Sequence, residues 1–143
     1  MSTVGGRIKF YRLTKGLTQI ELANIADLNV STIIRYEDNQ VEYALEICNR
    51  IAQSLEINPK LIYDDYLNFL ASDYQQSIRK TRKKLKLTQK EFANLLGLNL
   101  SSVRRWESGR AYPSRENYIK LIKLFSKAIE CKGSGTAINI NLI

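Results

Sequence analysis

LTQKEFANLLGLNLSSVRRWESG, residues 87–109, holds two short helical patterns and the turn between them. Thr88 followed by Glu91 has capping-box spacing, so a helix starts there. Phe92, Ala93, Leu95 and Leu96 recur at helical spacing and give that helix an apolar face. Gly97 stands where the chain has to turn sharply, and the left-handed backbone of such a turn favours glycine. Asn99 is expected to cap a second helix, Leu100 to Glu107. That helix turns Val103 and Trp106 inward and Ser101, Arg104 and Arg105 outward. A short helix, a glycine turn and a polar, basic second helix describe a unit whose second helix can enter a nucleic-acid groove.

The same text occurs 70 residues earlier as LTQIELANIADLNVSTIIRYEDN, residues 17–39. Residues 8–37 lie over 78–107 without a gap. Ile8, Arg12, Leu17, Thr18, Gln19, Glu21, Ala23 and Asn24 recur, as do Leu28, Asn29, Ser31, Arg35 and Glu37. Conservative pairs fill other sites, such as Ile33 with Val103 and Tyr36 with Trp106. Self-similarity of this length marks a duplicated unit. The organisation expected is therefore a first domain over residues 1–72, a second over 73–130 and a tail over 131–143, each domain small.

Both copies resemble the Cro/phage-repressor family, also called XRE or lambda-repressor-like helix-turn-helix proteins. The resemblance covers most of residues 5–70 and 75–127. The first copy departs from the family pattern at Asp27, where the family has Gly. The resemblance implies tandem all-α domains that bind double-stranded operator DNA, usually as a pair on a palindrome. It further implies ion pairs between the first helix and the end of the recognition helix, here Arg12 with Glu37 and Arg82 with Glu107.

Matching the family's positions gives the expected DNA contacts. Gln19 and Gln89 sit at the first turn of helix two, where backbone N–H groups and the helix dipole meet a phosphate. Base-facing positions in the second copy are Leu100 and Ser101, then Arg104 and Arg105 one turn on, with Asn99 and Ser102 beside them among the expected DNA contacts. Arginine on a groove-bound helix most often reads guanine. Their counterparts in the first copy are Val30, Ser31, Ile34 and Arg35. Ser108 and Arg110 follow the recognition helix and lie near the DNA backbone, as do Lys83 and Lys84 on the first helix of the copy. Val103, Trp106, Ile33 and Tyr36 are assigned to the core.

Charge separates the copies. The chain of 143 residues carries a net +8. Residues 1–70 hold seven Lys or Arg against nine Asp or Glu, a net of −2, whereas residues 71–143 hold fifteen against five, a net of +10. Much of the excess lies in RKTRKKLK, residues 79–86. Phosphate contacts dominate non-specific DNA affinity, so the second copy is expected to be the stronger reader. The acidic first copy suits a partner protein as an alternative, in an antitoxin or another interaction regulator.

The flanks extend the pattern. Residues 5–14 and 76–86 read as first helices. Leu45, Cys48, Ile51, Ala52 and Leu55 recur at helical spacing, and Asn58-Pro59 is expected to open another helix. Residues 60–85 hold no Gly and no Pro, so helix is expected across them with one break near Ala71 to Asp73. Pro113 and Ser114 precede an apolar helix over Arg115–Ile129. Thr136–Ile143 alternates Ile138, Ile140 and Leu142 with Asn139 and Asn141, which is strand period. Its unsatisfied backbone suggests that two tails pair, giving a homodimer.

Several classes are disfavoured. The chain has no His, which removes His-based catalytic pairs and His-containing zinc sites. No nucleophile–base pair, metal constellation or phosphate-cradling glycine loop is visible, so neither enzyme activity nor a cofactor is expected. Cys48 and Cys131 lack CxxC partners and read as packing residues in a reducing compartment. No apolar run reaches a membrane span and the N-terminus lacks a signal-peptide core. The expectation is a cytoplasmic, nucleoid-associated transcriptional regulator of bacterial or mobile-element type, most simply a repressor.

Overall fold

The computed structural model describes residues 3–130. Among them the helices are α1 (Val4–Thr14), α2 (Gln19–Ala26), α3 (Val30–Glu37), α4 (Leu45–Ser54), α5 (Asp65–Ala71), α6 (Tyr74–Lys84), α7 (Gln89–Leu96), α8 (Leu100–Glu107) and α9 (Arg115–Glu130). No strand occurs among the described residues, and the one expected at Thr136–Ile143 lies outside them, as does Cys131. The chain forms two compact units, with the boundary between Ala71 and Ser72.

In the first unit the three leading helices follow from local chemistry. The Thr3 side chain accepts from the Gly6 N–H at 3.0 Å and starts α1. A reciprocal capping box starts α2: Glu21 N–H donates to Thr18 Oγ1 at 3.1 Å, and Thr18 N–H donates to Glu21 Oε2 at 2.7 Å. At its end Asp27 takes a left-handed conformation, φ 54°. The strain is offset from α4, where Arg50 Nη2 donates to the carbonyls of Ala26 at 2.9 Å and Asp27 at 2.6 Å. Ile8, Leu22, Ile33, Cys48, Ile51, Leu55, Ile62 and Leu67 are completely buried and form the core. Cys48 lies within it.

The second unit repeats the local solutions. Glu91 N–H donates to Thr88 Oγ1 at 3.1 Å and Thr88 N–H to Glu91 Oε1 at 3.0 Å. Gly97 ends α7 at φ 69°, and Leu98 N–H reaches back to the Ala93 carbonyl at 2.9 Å. Lys120 Nζ, 70 positions after Arg50, donates to the Leu96 carbonyl at 3.3 Å. Phe92, Val103, Leu121 and Leu124 are fully buried.

One exchange shows how closely the two backbones agree. Asn39 and Gly109 both follow the third helix of their unit with positive φ, 57° and 75°. In the first unit Gly5 N–H donates to Asn39 Oδ1 at 3.3 Å, and a Cβ on Gly5 would lie 2.1 Å from the Tyr36 carbonyl oxygen. In the second unit the glycine is at the turn instead, and a Cβ on Gly109 would lie 2.7 Å from Gln75 Nε2. Small and large residues have traded places across the same contact.

Three expectations need correction. Pro59 opens only a 3-10 turn, Pro59–Leu61, and α5 starts afresh at Asp65 with Asp64 Oδ1 accepting from Leu67 N–H at 2.9 Å. Ile62 and Leu67 are both fully buried. Five residues apart on an unbroken helix they would point about 140° from each other, so the break lets both reach one core. Asn29 and Asn99 occupy cap positions, but their side chains make no cap hydrogen bond. Their own carbonyls accept from Thr32 and Ser102 N–H at 2.9 and 3.1 Å, which already serves the first turn. Finally, α6 begins two residues early, because the Asp73 side chain caps it through Gln76 N–H. It ends at Lys84, and Lys86 turns the chain at φ 57°.

Candidate nucleic-acid interface

Glu107, the last residue of α8, is 4% exposed and would be costly to bury alone. It has a full set of donors. Arg82 of α6 gives Nε–H at 3.1 Å and Nη2–H at 2.9 Å to Oε1, and Gln89 of α7 gives Nε2–H at 2.8 Å to Oε2. Arg82 Nη1 also donates to the Leu87 carbonyl at 3.0 Å, and Arg79 Nη2 to the Glu107 carbonyl at 2.8 Å. One carboxylate thereby ties the side of α6, the start of α7 and the end of α8. The angle of α8 is fixed by charge-assisted hydrogen bonds as well as by packing.

The first unit holds the same clamp. Arg12 Nε–H reaches Glu37 Oε1 at 2.5 Å, Nη2–H reaches Oε2 at 3.0 Å, and Gln19 Nε2–H reaches Oε2 at 2.9 Å. The bond to Glu37 raises the Arg12 pKa above its ordinary value. Arg12 pairs with Glu37 and Arg82 with Glu107, as the family resemblance implied. The two glutamines were missed as part of the clamp. Their side-chain amides point to the glutamate, while the backbone N–H groups of the same helical turn are a separate feature. The signal available was recurrence: both glutamines lie 18 residues before their glutamate.

With its C-terminal end clamped and Val103 and Trp106 buried, α8 keeps one stripe outside. Ser101, Arg104, Arg105 and Ser108 are exposed at spacings i, i+3, i+4 and i+7, which is one helix face. Ser108 Oγ donates to the Arg105 carbonyl at 3.1 Å. Asn99 and Arg110 are exposed at either end, while Leu100, Ser102 and Gln89 are half-buried. Lys83 and Lys84 are exposed in the last turn of α6. On α3 the corresponding stripe carries exposed Ser31, Ile34, Arg35 and Asp38, with Val30 exposed at the helix start. Apart from Arg35 it offers no cation.

Residues 78–130 match a family model described as helix-turn-helix. The match takes in one copy of the motif, from the middle of α6 to the end of α9. No curated protein and no solved structure matches the chain. The matched family points to DNA binding, and the matched segment contains the α7–α8 pair described above. Among the described residues no helix is long and apolar enough to cross a membrane.

Proposed function

We propose that this protein is a sequence-specific DNA-binding transcriptional regulator, a repressor, that reads the major groove with α8. The observation that carries the reading is the exposed Ser101–Arg104–Arg105–Ser108 stripe on a helix anchored through Glu107, in the segment matched to the helix-turn-helix family. Arg104 and Arg105 supply the bidentate donors that suit guanine. Asn99, Leu100, Ser101 and Ser102 meet base edges or methyl groups near the helix start. Gln89 backbone, Ser108, Arg110, Lys83 and Lys84 hold the phosphates. The first unit is a second copy of the same fold, with Arg12 and Glu37 as its clamp. No cofactor or catalytic step is needed for this role. Bound to DNA, the protein would reside on the nucleoid.

A second reading concerns the first unit alone. Its net charge of −2 and the exposed Val30 and Ile34 on α3 favour a protein surface over a phosphate surface. Selection from a random duplex pool with the full chain tests the main proposal. Enrichment of a common sequence with guanines opposite α8 is expected; a pool that stays random through successive rounds contradicts it.

A further inference from the structure

The two units share a backbone over α1–α3 and α6–α8 but finish their outer surfaces in opposite ways. Four positions 70 residues apart exchange a cation for a large apolar residue: Lys80 for Phe10, Lys83 for Leu13, Lys90 for Ile20 and Arg104 for Ile34. The four apolar residues are 44, 58, 61 and 38% exposed. Single exposed apolar residues are ordinary, but four such exchanges in one sense against one in the other, Lys15 for Leu85, indicate a surface meant to be covered by protein. Asp38, one turn after Ile34, is exposed beside it.

A second such surface lies on α9. Leu121, Leu124 and Ala128 are buried in their own unit, while Ile119, Ile122 and Ile129 remain 51, 38 and 68% exposed. The spacing i, i+3, i+10, with Ser126 at i+7, is the seam pattern of a helix that packs on two sides. Lys123 and Lys127 run alongside that stripe.

We infer that α9 of one copy docks on the α2–α3 face of the first unit of a second copy. Ile119, Ile122 and Ile129 cover Ile20, Val30 and Ile34, with the lysine row toward Asp38. Charge selects this pairing over the two symmetric ones. Residues 1–70 carry −2 and residues 71–143 carry +10, so like surfaces repel and unlike surfaces attract. A contact between unlike patches closes as a reciprocal pair or ring, or repeats into a row of copies. Such docking goes beyond DNA reading and does not depend on it.

The test is sedimentation velocity of the full chain without DNA, over a concentration series, with Ile20→Glu and Ile119→Glu. Both sites are exposed, and an acidic residue in the first turn of α2 agrees with the helix dipole. Unchanged helical circular dichroism establishes that the variants fold. The wild type is expected to associate as concentration rises, and each variant alone to associate at least tenfold more weakly. An equimolar mixture should then form a one-to-one dimer, because one partner keeps an intact α9 and the other an intact α2–α3 face. A wild type that stays monomeric overturns the inference. So does a mixture that stays monomeric, an effect of Ile119→Glu alone, which would mean α9 pairs with itself, or association untouched by either change, which would place the contact elsewhere, the C-terminal tail included.

Discussion

Glu107 is where a single side chain decides the geometry of the second unit. Its carboxylate is the acceptor for Arg82 and Gln89, and Arg79 Nε stands 3.7 Å away. Removing Arg82 leaves a buried anion with one amide donor and a distant guanidinium. Arg82→Ala is expected to cost roughly 3–5 kcal/mol, toward the lower end because Arg79 can approach. Urea denaturation reads this directly, and a midpoint equal to wild type would contradict the clamp. The arginine–glutamate pairing was legible in the sequence because both partners recur with a separation of 25 residues. The glutamine was not, since a polar residue in a helix's first turn reads as facing outward, here toward a phosphate. Only the folded chain brings the start of α7 over the end of α8. Asn99 misled in the opposite direction: its type suits a cap, yet its own carbonyl already serves the Ser102 N–H.

At the scale of elements, the helix starts were legible wherever a local rule sets them. Thr18 with Glu21 and Thr88 with Glu91 form complete capping boxes, and Gly97 ends α7 in the left-handed region. The break at Ile62–Asp64 was not legible, because no breaker residue marks it. It exists because Ile62 and Leu67 must reach the same core, which is a tertiary demand. The capping boxes also contribute to the loss of stability in acid. The bonds to Thr18 and Thr88 N–H hold Glu21 and Glu91 below the ordinary carboxylate pKa. A depressed folded pKa contributes stability above the unfolded value of about 4.3 that is lost as pH falls through the folded one. At the other end, burial raises the Tyr36, Tyr63 and Tyr74 phenols. Their contribution is intact below about pH 10 and is lost as pH rises through the raised values. With no His in the chain, little titrates between these limits. Thermal melts from about pH 5.5 to 8.5 should therefore give a plateau, with decline on both sides. A sharp midpoint change near pH 6.5 would contradict this account.

Over the whole molecule, two units of similar helix order differ in charge and surface, residues 1–70 carrying −2 and residues 71–143 carrying +10. The repeat and the charge split were open to sequence reading, as was the outward stripe of α8. What the second unit's surface touches depends on a partner, and Arg104 and Arg105 do not announce from sequence which base or phosphate each meets. The lysines of α6 provide one check on the electrostatic half of the account. Lys83→Ala with Lys84→Ala should flatten the slope of log K against log salt by roughly 0.9 for each phosphate no longer neutralised; an unchanged slope would leave that helix facing water. The recognition half is tested most directly by one dissociation constant. Arg104→Ala with Arg105→Ala, measured on the selected operator at fixed physiological salt, should weaken binding by about 10- to 100-fold for each base no longer read. Operator affinity equal to wild type in that double variant would contradict the claim that α8 reads the DNA.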